Sequence, residues 1–292
     1  MEWQVEKNVP LSRFTTLRVG GPADSLVHPR TVEEALAVLS REGRVFTLGG
    51  GSNILVSDAG VRGVTMRISK CLSDVEFLSG PGNTALVKAQ AGVSLARLSG
   101  LAMRRGLSGL EFAHGIPGTL GGALVMNAGT REGEMKDIAV SVTAVAQDGA
   151  LHRRAGAQLG FSYRSSGFAG GDVIVECELA LTHDDTTRIH ERMRKGWEAR
   201  KLSQPLDRPS AGSVFKNPAG DFAGRLIESA GLKGYSVGGA MVSVKHANFI
   251  VNTGGARASD VFSVIKEVER RVYDTSGVKL EREIRLVGQF DE

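Results

Sequence analysis

Residues 46–56 read FTLGGGSNILV, three consecutive glycines between two short apolar runs. A glycine run after a strand is a common phosphate cradle, because glycine reaches positive φ and lets backbone N–H groups approach an anion. Two familiar versions are excluded by context. A dinucleotide-binding G-x-G-x-x-G opens a helix, whereas GGGSN runs straight into ILV, and the P-loop string G-x-x-x-x-G-K-[ST] does not occur. What remains is a strand–turn–strand loop. Gly49, Gly50 and Gly51 would offer N–H groups, and Ser52 and Asn53 side-chain donors. Taken alone, the stretch reads equally well as a plain tight turn.

Working outward, Thr31 and Glu34 form a capping-box pattern ahead of EEALAVLSRE, with Gly43 as the stop. VFTL, ILV and VTMRI read as short strands, so residues 1–68 predict a β-α-β-β unit. LVKAQAG is a further strand, and Ser94–Arg105 a helix closed by Gly106. VSVTAVAQDGALHRR predicts a hairpin turning at Asp148-Gly149, and DVIVECELALT another strand. A charged helix is expected over Asp184–Lys201, followed by the connector KLSQPLDRPSAGS. Beyond it, Asp221 is expected to cap FAGRLIESA, HANFIV to form a strand, and VKLEREIRLVG to run extended. Val261, Ile265, Val268 and Val272 recur at helical spacing as one apolar stripe.

A second glycine-rich, uncharged segment, GIPGTLGGALVMNAG (115–129), is short on helix periodicity and predicts a loop. Two such loops suit the two ends of a pyrophosphate held by backbone and not by lysines. The ordered series FTTLRVGGPA (14–23), LGGGSNILV (48–56), GLEFAHGIPGTLGGALVMNAG (109–129), FSYRSS (161–166), SAGSVFKNP (210–218), AGLKG (230–234), HANFIVN (246–252) and LEREIRLVG (280–288) resembles the UDP-N-acetylenolpyruvoylglucosamine reductase (UDP-N-acetylmuramate dehydrogenase) family, in its shorter-chain branch. The series spans nearly the whole chain. The resemblance implies an α+β, vanillyl-alcohol-oxidase-type (PCMH) FAD-binding fold: two α/β subdomains, 1–68 and 69–190 with 278–292 returning, plus a third α/β substrate-binding domain, 191–277.

It also implies a cytoplasmic flavoenzyme of peptidoglycan precursor synthesis. NADPH would reduce a non-covalent FAD, which then reduces a UDP-sugar enolpyruvyl ether. The FAD phosphates would lie between the turn Gly49, Gly50, Gly51, Ser52, Asn53 and the loop residues Gly115, Ile116, Pro117, Gly118, Gly121, Gly122 and Asn127. Carried over residue by residue, Ser213 matches the family's proton donor, Arg164 the arginine that pairs with the substrate carboxylate, and Glu283 the catalytic glutamate. A glutamate beside a developing dianion makes sense if it carries a proton. Tyr163, Lys201, Lys216, Asn217 and Asn248 are the expected substrate residues, with His246 ranked below them. Taken singly, each has a plainer reading: Ser213 as a small turn residue, Arg164 as a solvated strand end, Glu283 as an exposed edge carboxylate. Two departures from the family pattern touch the flavin region: Thr130-Arg131 where an aromatic is usual, and His114 where a small residue is usual. A flavin oxidase of the same fold superfamily is the alternative.

The bulk numbers are compatible with this. The 292 residues are 41% hydrophobic and 23% charged, enough for real cores, and net charge is only +4, spread along the chain. That balance suits small anions and gives no nucleic-acid block. Cys71 and Cys177 have no C-x-x-C spacing, which excludes a disulfide scaffold and a zinc ribbon; no metal is expected. MEWQVEKNVPLSRF lacks the apolar core of a signal peptide, and no membrane partner is expected. A monomer or weak dimer is expected.

Overall fold

The structure is a computed structural model that describes residues 3–42, 45–69, 71–146, 149–168 and 171–291. Gly43, the expected helix stop, and Asp148 of the expected hairpin turn lie outside them. The chain divides into two compact units that alternate in sequence: 1–6, 26–50 and 64–200 form the first; 7–25, 51–63 and 201–292 the second.

The first unit is built on an antiparallel sheet. Its strand order is Leu151–Ala155, Ala139–Val145, Val173–His183, Thr84–Gln90 and Val75–Ser79, with Leu107–Ser108 pairing at the end of the long strand. Val142, Ala144, Val175, Cys177, Leu179, Val87 and Ala89 alternate inward and are at most 2% exposed. Helices Val32–Glu42 and Leu95–Met103 supply the other half of this core, and Val45–Leu48 pairs in parallel with Val64–Arg67. Cys177 is packed in this core, and burial pushes its thiol up.

Capping follows the expectations in part. Thr31 Oγ1 accepts the Glu34 N–H at 3.2 Å, but the Glu34 carboxylate turns to the backbone N–H and guanidinium of Arg30. Ser94 caps the next helix on Arg97 N–H, and Gly106 ends it at φ +65°. The expected loop 115–129 is partly helical. Leu120–Val125 is a short α-helix, with Leu120, Ala123 and Leu124 buried at i, i+3 and i+4 and Thr119 at its N-cap. The glycines on either side dilute the periodicity that would have shown it.

The second unit pairs Ser210–Ser213, Phe249–Asn252, Ala240–Val242 and Ser236–Val237 in an antiparallel sheet. Helix Ala258–Ser276 covers it with the expected stripe: Val261, Ile265, Val268 and Val272 are at most 1% exposed. Asp58 caps that helix, accepting the N–H groups of Ala258 and Ser259. Burial pushes its carboxyl up, yet those N–H bonds win and hold it below its ordinary range. Helix Ala223–Ser229 starts differently from expectation. Asp221 accepts from Phe222 N–H and is drawn to Arg225, while Asn217 Oδ1 takes the Ala223 N–H at 3.0 Å. The segment VKLEREIRLVG is a strand only over Arg285–Val287, in parallel with Ile54–Val56. Among the described residues no helix is long and apolar enough to cross a membrane.

Candidate functional site

In the first unit the two glycine segments meet backbone to backbone. A Cβ added at Gly50 would lie 2.5 Å from the Gly118 Cα, and one at Gly49 2.6 Å from Thr119 Oγ1. Only glycine permits that approach. The 115–121 segment is in turn tied to its neighbours: Gly118 C=O accepts from Leu95 N–H, and the N–H groups of Leu120 and Gly121 go to Val93 and Ala91 carbonyls. Gly51 belongs to the second unit, where φ +62° and a Cβ position 2.0 Å from the Phe14 carbonyl oxygen again demand glycine.

Beside Gly115 lie His114, Trp197 and Arg200. A Cβ on Gly115 would meet Arg200 Cδ at 2.8 Å, and the His114 and Trp197 rings stand edge to face at 6.5 Å. His114 Nδ1 and Arg200 Nε are buried with no hydrogen-bond partner, and burial draws the Arg200 guanidinium below its ordinary range. A glycine cradle with an arginine at its edge whose buried Nε–H has no partner has the donor chemistry of an anion site, and so fits the diphosphate of an FAD. Among the described residues no group of three or more His, Cys, Asp or Glu could hold a metal ion.

Asn127 and Arg164 are both left-handed, at φ +43° and +54°. The Asn127 side chain is fully buried and spent inside the protein: Nδ2 donates to Ser162 C=O at 2.9 Å and Oδ1 accepts from Lys136 N–H at 2.9 Å. Arg164 Nη2 donates to Gly129 C=O at 3.0 Å, and its guanidinium lies 5.2 Å from the centre of the exposed Tyr163 ring. The turn 162–165 thus holds a half-buried arginine on neutral carbonyls, in a backbone conformation that costs on the order of 1 kcal/mol or more.

In the second unit, Ser213 follows a β-bulge. Ser210 pairs with Val251 and Ser213 with Phe249, so Ala211 and Gly212 face one residue, and Gly212 takes φ +76°. The chain then meets the 281–285 segment. Val214 C=O accepts from Glu283 N–H at 2.8 Å and Ile284 N–H at 3.2 Å, Lys216 N–H donates to Glu281 C=O, and Phe215 bridges Arg282. Ser213 and Glu283, seventy positions apart, therefore flank one ladder. Lys216 Nζ pairs with Glu281 Oε1 at 2.5 Å. Asn53 braces the far side: its Nδ2 donates to Glu283 C=O at 3.0 Å and its C=O accepts from Arg285 N–H at 3.1 Å. Asn248, 4% exposed, spends both amide atoms on Phe215.

The remaining expected substrate residues are dispersed. Asn217 is exposed and engaged at a helix start. Lys201 lines a cavity of about 620 Å³ with Arg208, Lys245, Met241 and Val244, and none of Ser213, Lys216, Asn217 or Asn248 lines it. Arg208 and Lys245 escaped the sequence reading, since isolated basic residues in a connector and a turn carry no spacing signal. His246 lies over Gly224, half-buried; burial lowers its pKa, while Lys233 and Glu228 act on it in opposite directions.

The class this fold and site define is that of proteins with an FAD-binding domain: residues 23–154 match the family profile described as FAD binding domain. The family follows from the rest of the chain. Residues 204–287 match the profile of the UDP-N-acetylenolpyruvoylglucosamine reductase C-terminal domain. The reductase of Anaeromyxobacter dehalogenans strain 2CP-C is 46% identical over 97% of this chain and 86% of its own. That of Anaeromyxobacter sp. strain Fw109-5 is 47% identical over 98% and 90%. The crystal structure of the Thermus caldophilus enzyme superposes with a TM-score of 0.85 at 42% identity, covering 98% of this chain and all of that one. The chain belongs to the UDP-N-acetylenolpyruvoylglucosamine reductase family, and it has the α+β, FAD-binding fold expected from the sequence.

Proposed function

We propose that the protein is an oxidoreductase of peptidoglycan precursor synthesis, which reduces UDP-N-acetylglucosamine enolpyruvate to UDP-N-acetylmuramate with electrons from NADPH. Bound FAD would supply the hydride chemistry, accepting from the nicotinamide and delivering to the enolpyruvyl β-carbon. The chain's own residues do the rest. Arg164 pairs its fork with the substrate carboxylate, where negative charge grows as the α-carbon becomes an enolate. Ser213 gives its hydroxyl proton to the α-carbon, and the basic enolate drives the transfer. Glu283, carrying a proton, donates a hydrogen bond to the growing dianion. The glycine segments, with His114 and Arg200 at their edge, hold the flavin diphosphate. Lys201, Lys216 and Asn217 are assigned to the sugar nucleotide, with 191–277 as its domain. The protein works in the cytoplasm.

The observation that carries this reading is the ladder in which Val214, the residue after Ser213, takes the Glu283 N–H, in a chain 46% identical to a named reductase. It is tested on the purified protein. Acid precipitation should release a yellow supernatant whose flavin is FAD, and NADPH consumption should require the enolpyruvyl sugar nucleotide. Yellow colour retained in the pellet would instead mean a covalent flavin at His114. Rapid reoxidation of the reduced flavin by oxygen alone would favour an oxidase.

A further inference from the structure

We infer that Asn248 is a positioning residue for Ser213, acting through the Val214–Phe215 backbone and not by touching the sugar nucleotide; this rests on the reading of Ser213 as proton donor. Both heavy atoms of the amide are engaged with a single neighbour. Asn248 Oδ1 accepts from Phe215 N–H at 2.9 Å and Nδ2 donates to Phe215 C=O at 2.8 Å, a two-point clamp on a single residue. Its own C=O accepts from Val214 N–H at 2.9 Å. Three bonds from Asn248 thus fall on the two residues that follow Ser213, and all are buried, where an unmade partner is costly.

The clamp is needed because of what precedes Ser213. The bulge at Ala211–Gly212 interrupts the regular pairing of the strand, so the ladder to Phe249–Asn252 alone does not determine where Ser213 points. Asn248 restores the direction one residue later. From there the Val214 carbonyl takes the N–H groups of Glu283 and Ile284, and Asn53 holds Glu283 C=O from the opposite side. The chain Asn248, Val214–Phe215, Glu283, Asn53 is one continuous set of backbone ties, with an asparagine at each end.

The test compares Asn248→Ala and Asn248→Asp with Ser213→Ala and the double variant S213A/N248A. Asn248→Asp keeps the volume and the acceptor for Phe215 N–H but loses the donor to Phe215 C=O, so it serves if the alanine variant does not fold. NADPH-driven flavin reduction is expected to stay unchanged. Reoxidation of the reduced flavin by the enolpyruvyl substrate should slow roughly 10- to 100-fold, the scale on which small misplacements act. The KM for the sugar nucleotide should stay within about twofold, and adding N248A to S213A should cost less than about threefold more, since both act through one hydroxyl. A raised KM with normal reoxidation, or full additivity in the double variant, overturns the inference. Normal reoxidation in Ser213→Ala alone overturns the underlying proton-donor assignment instead.

Discussion

The glycine meeting point of the first unit and the asparagine-braced ladder of the second fix a loop beside a candidate ligand by opposite means. At Gly49–Gly50 and Gly118 the side chains are deleted, and backbone rests on backbone at distances no Cβ could enter. At Ser213–Phe215 and Glu281–Arg285 the two backbones bond to each other, and each is braced by an added polar tie, from Asn248 and Asn53 respectively. The first device packs backbone against backbone in the segments proposed to hold a diphosphate. The second aims particular side chains, which suits proton transfer. Substitutions should therefore fail differently in the two regions.

The largest break is expected at the glycines. Gly50→Ala forces a Cβ against the Gly118 backbone, which cannot give way like a flexible side chain, at a cost of about 3 kcal/mol. Thermal unfolding should shift down, and the purified protein should lose its flavin absorbance. An Asn53→Ala variant sharpens the contrast. Its side-chain amide is engaged with Glu283 C=O, so the substitution removes that tie at about 1 kcal/mol but leaves the turn's backbone N–H groups in place, and the variant should keep its flavin while slowing reoxidation by substrate. Equal flavin loss in the two variants would erase the distinction drawn between the regions.

The smallest effect should come from outside both. Arg270 and then Arg271 hold the Glu267 carboxyl down at about 2, against an ordinary 4.5. A lowered folded-state pKa contributes stability that is complete above the unfolded value and is lost as pH falls through the folded one. Urea midpoints of wild type and Glu267→Gln should therefore differ slightly at pH 6, and converge as pH drops from about 4.5 to about 2, with flavin content unaffected.

The same contrast explains what could be read from the sequence. Glycine punctuation is local, so the turn at 49–51, the helix end at Gly106 and the stripe Val261, Ile265, Val268, Val272 were all legible. The helix Leu120–Val125 was not, because glycines break up its apolar spacing. The start of helix Ala223–Ser229 was misassigned because Asp221 fits a cap by type, whereas its arginine neighbour drew it off and Asn217 took the position. Ser213 and Glu283 could be picked out only by resemblance to a family. Nothing local in HANFIVN says that its asparagine clamps a residue 33 positions away, and no composition shift marks the alternation of the two units along the chain.

The central claim, that Ser213 on its braced ladder is the proton donor of the second half-reaction, is met most directly by anaerobic stopped-flow on Ser213→Ala. After reduction by NADPH at the wild-type rate, flavin reoxidation by the enolpyruvyl sugar nucleotide should be slower by about 10²- to 10⁴-fold, the usual worth of a positioned acid. Reoxidation at the wild-type rate would contradict it.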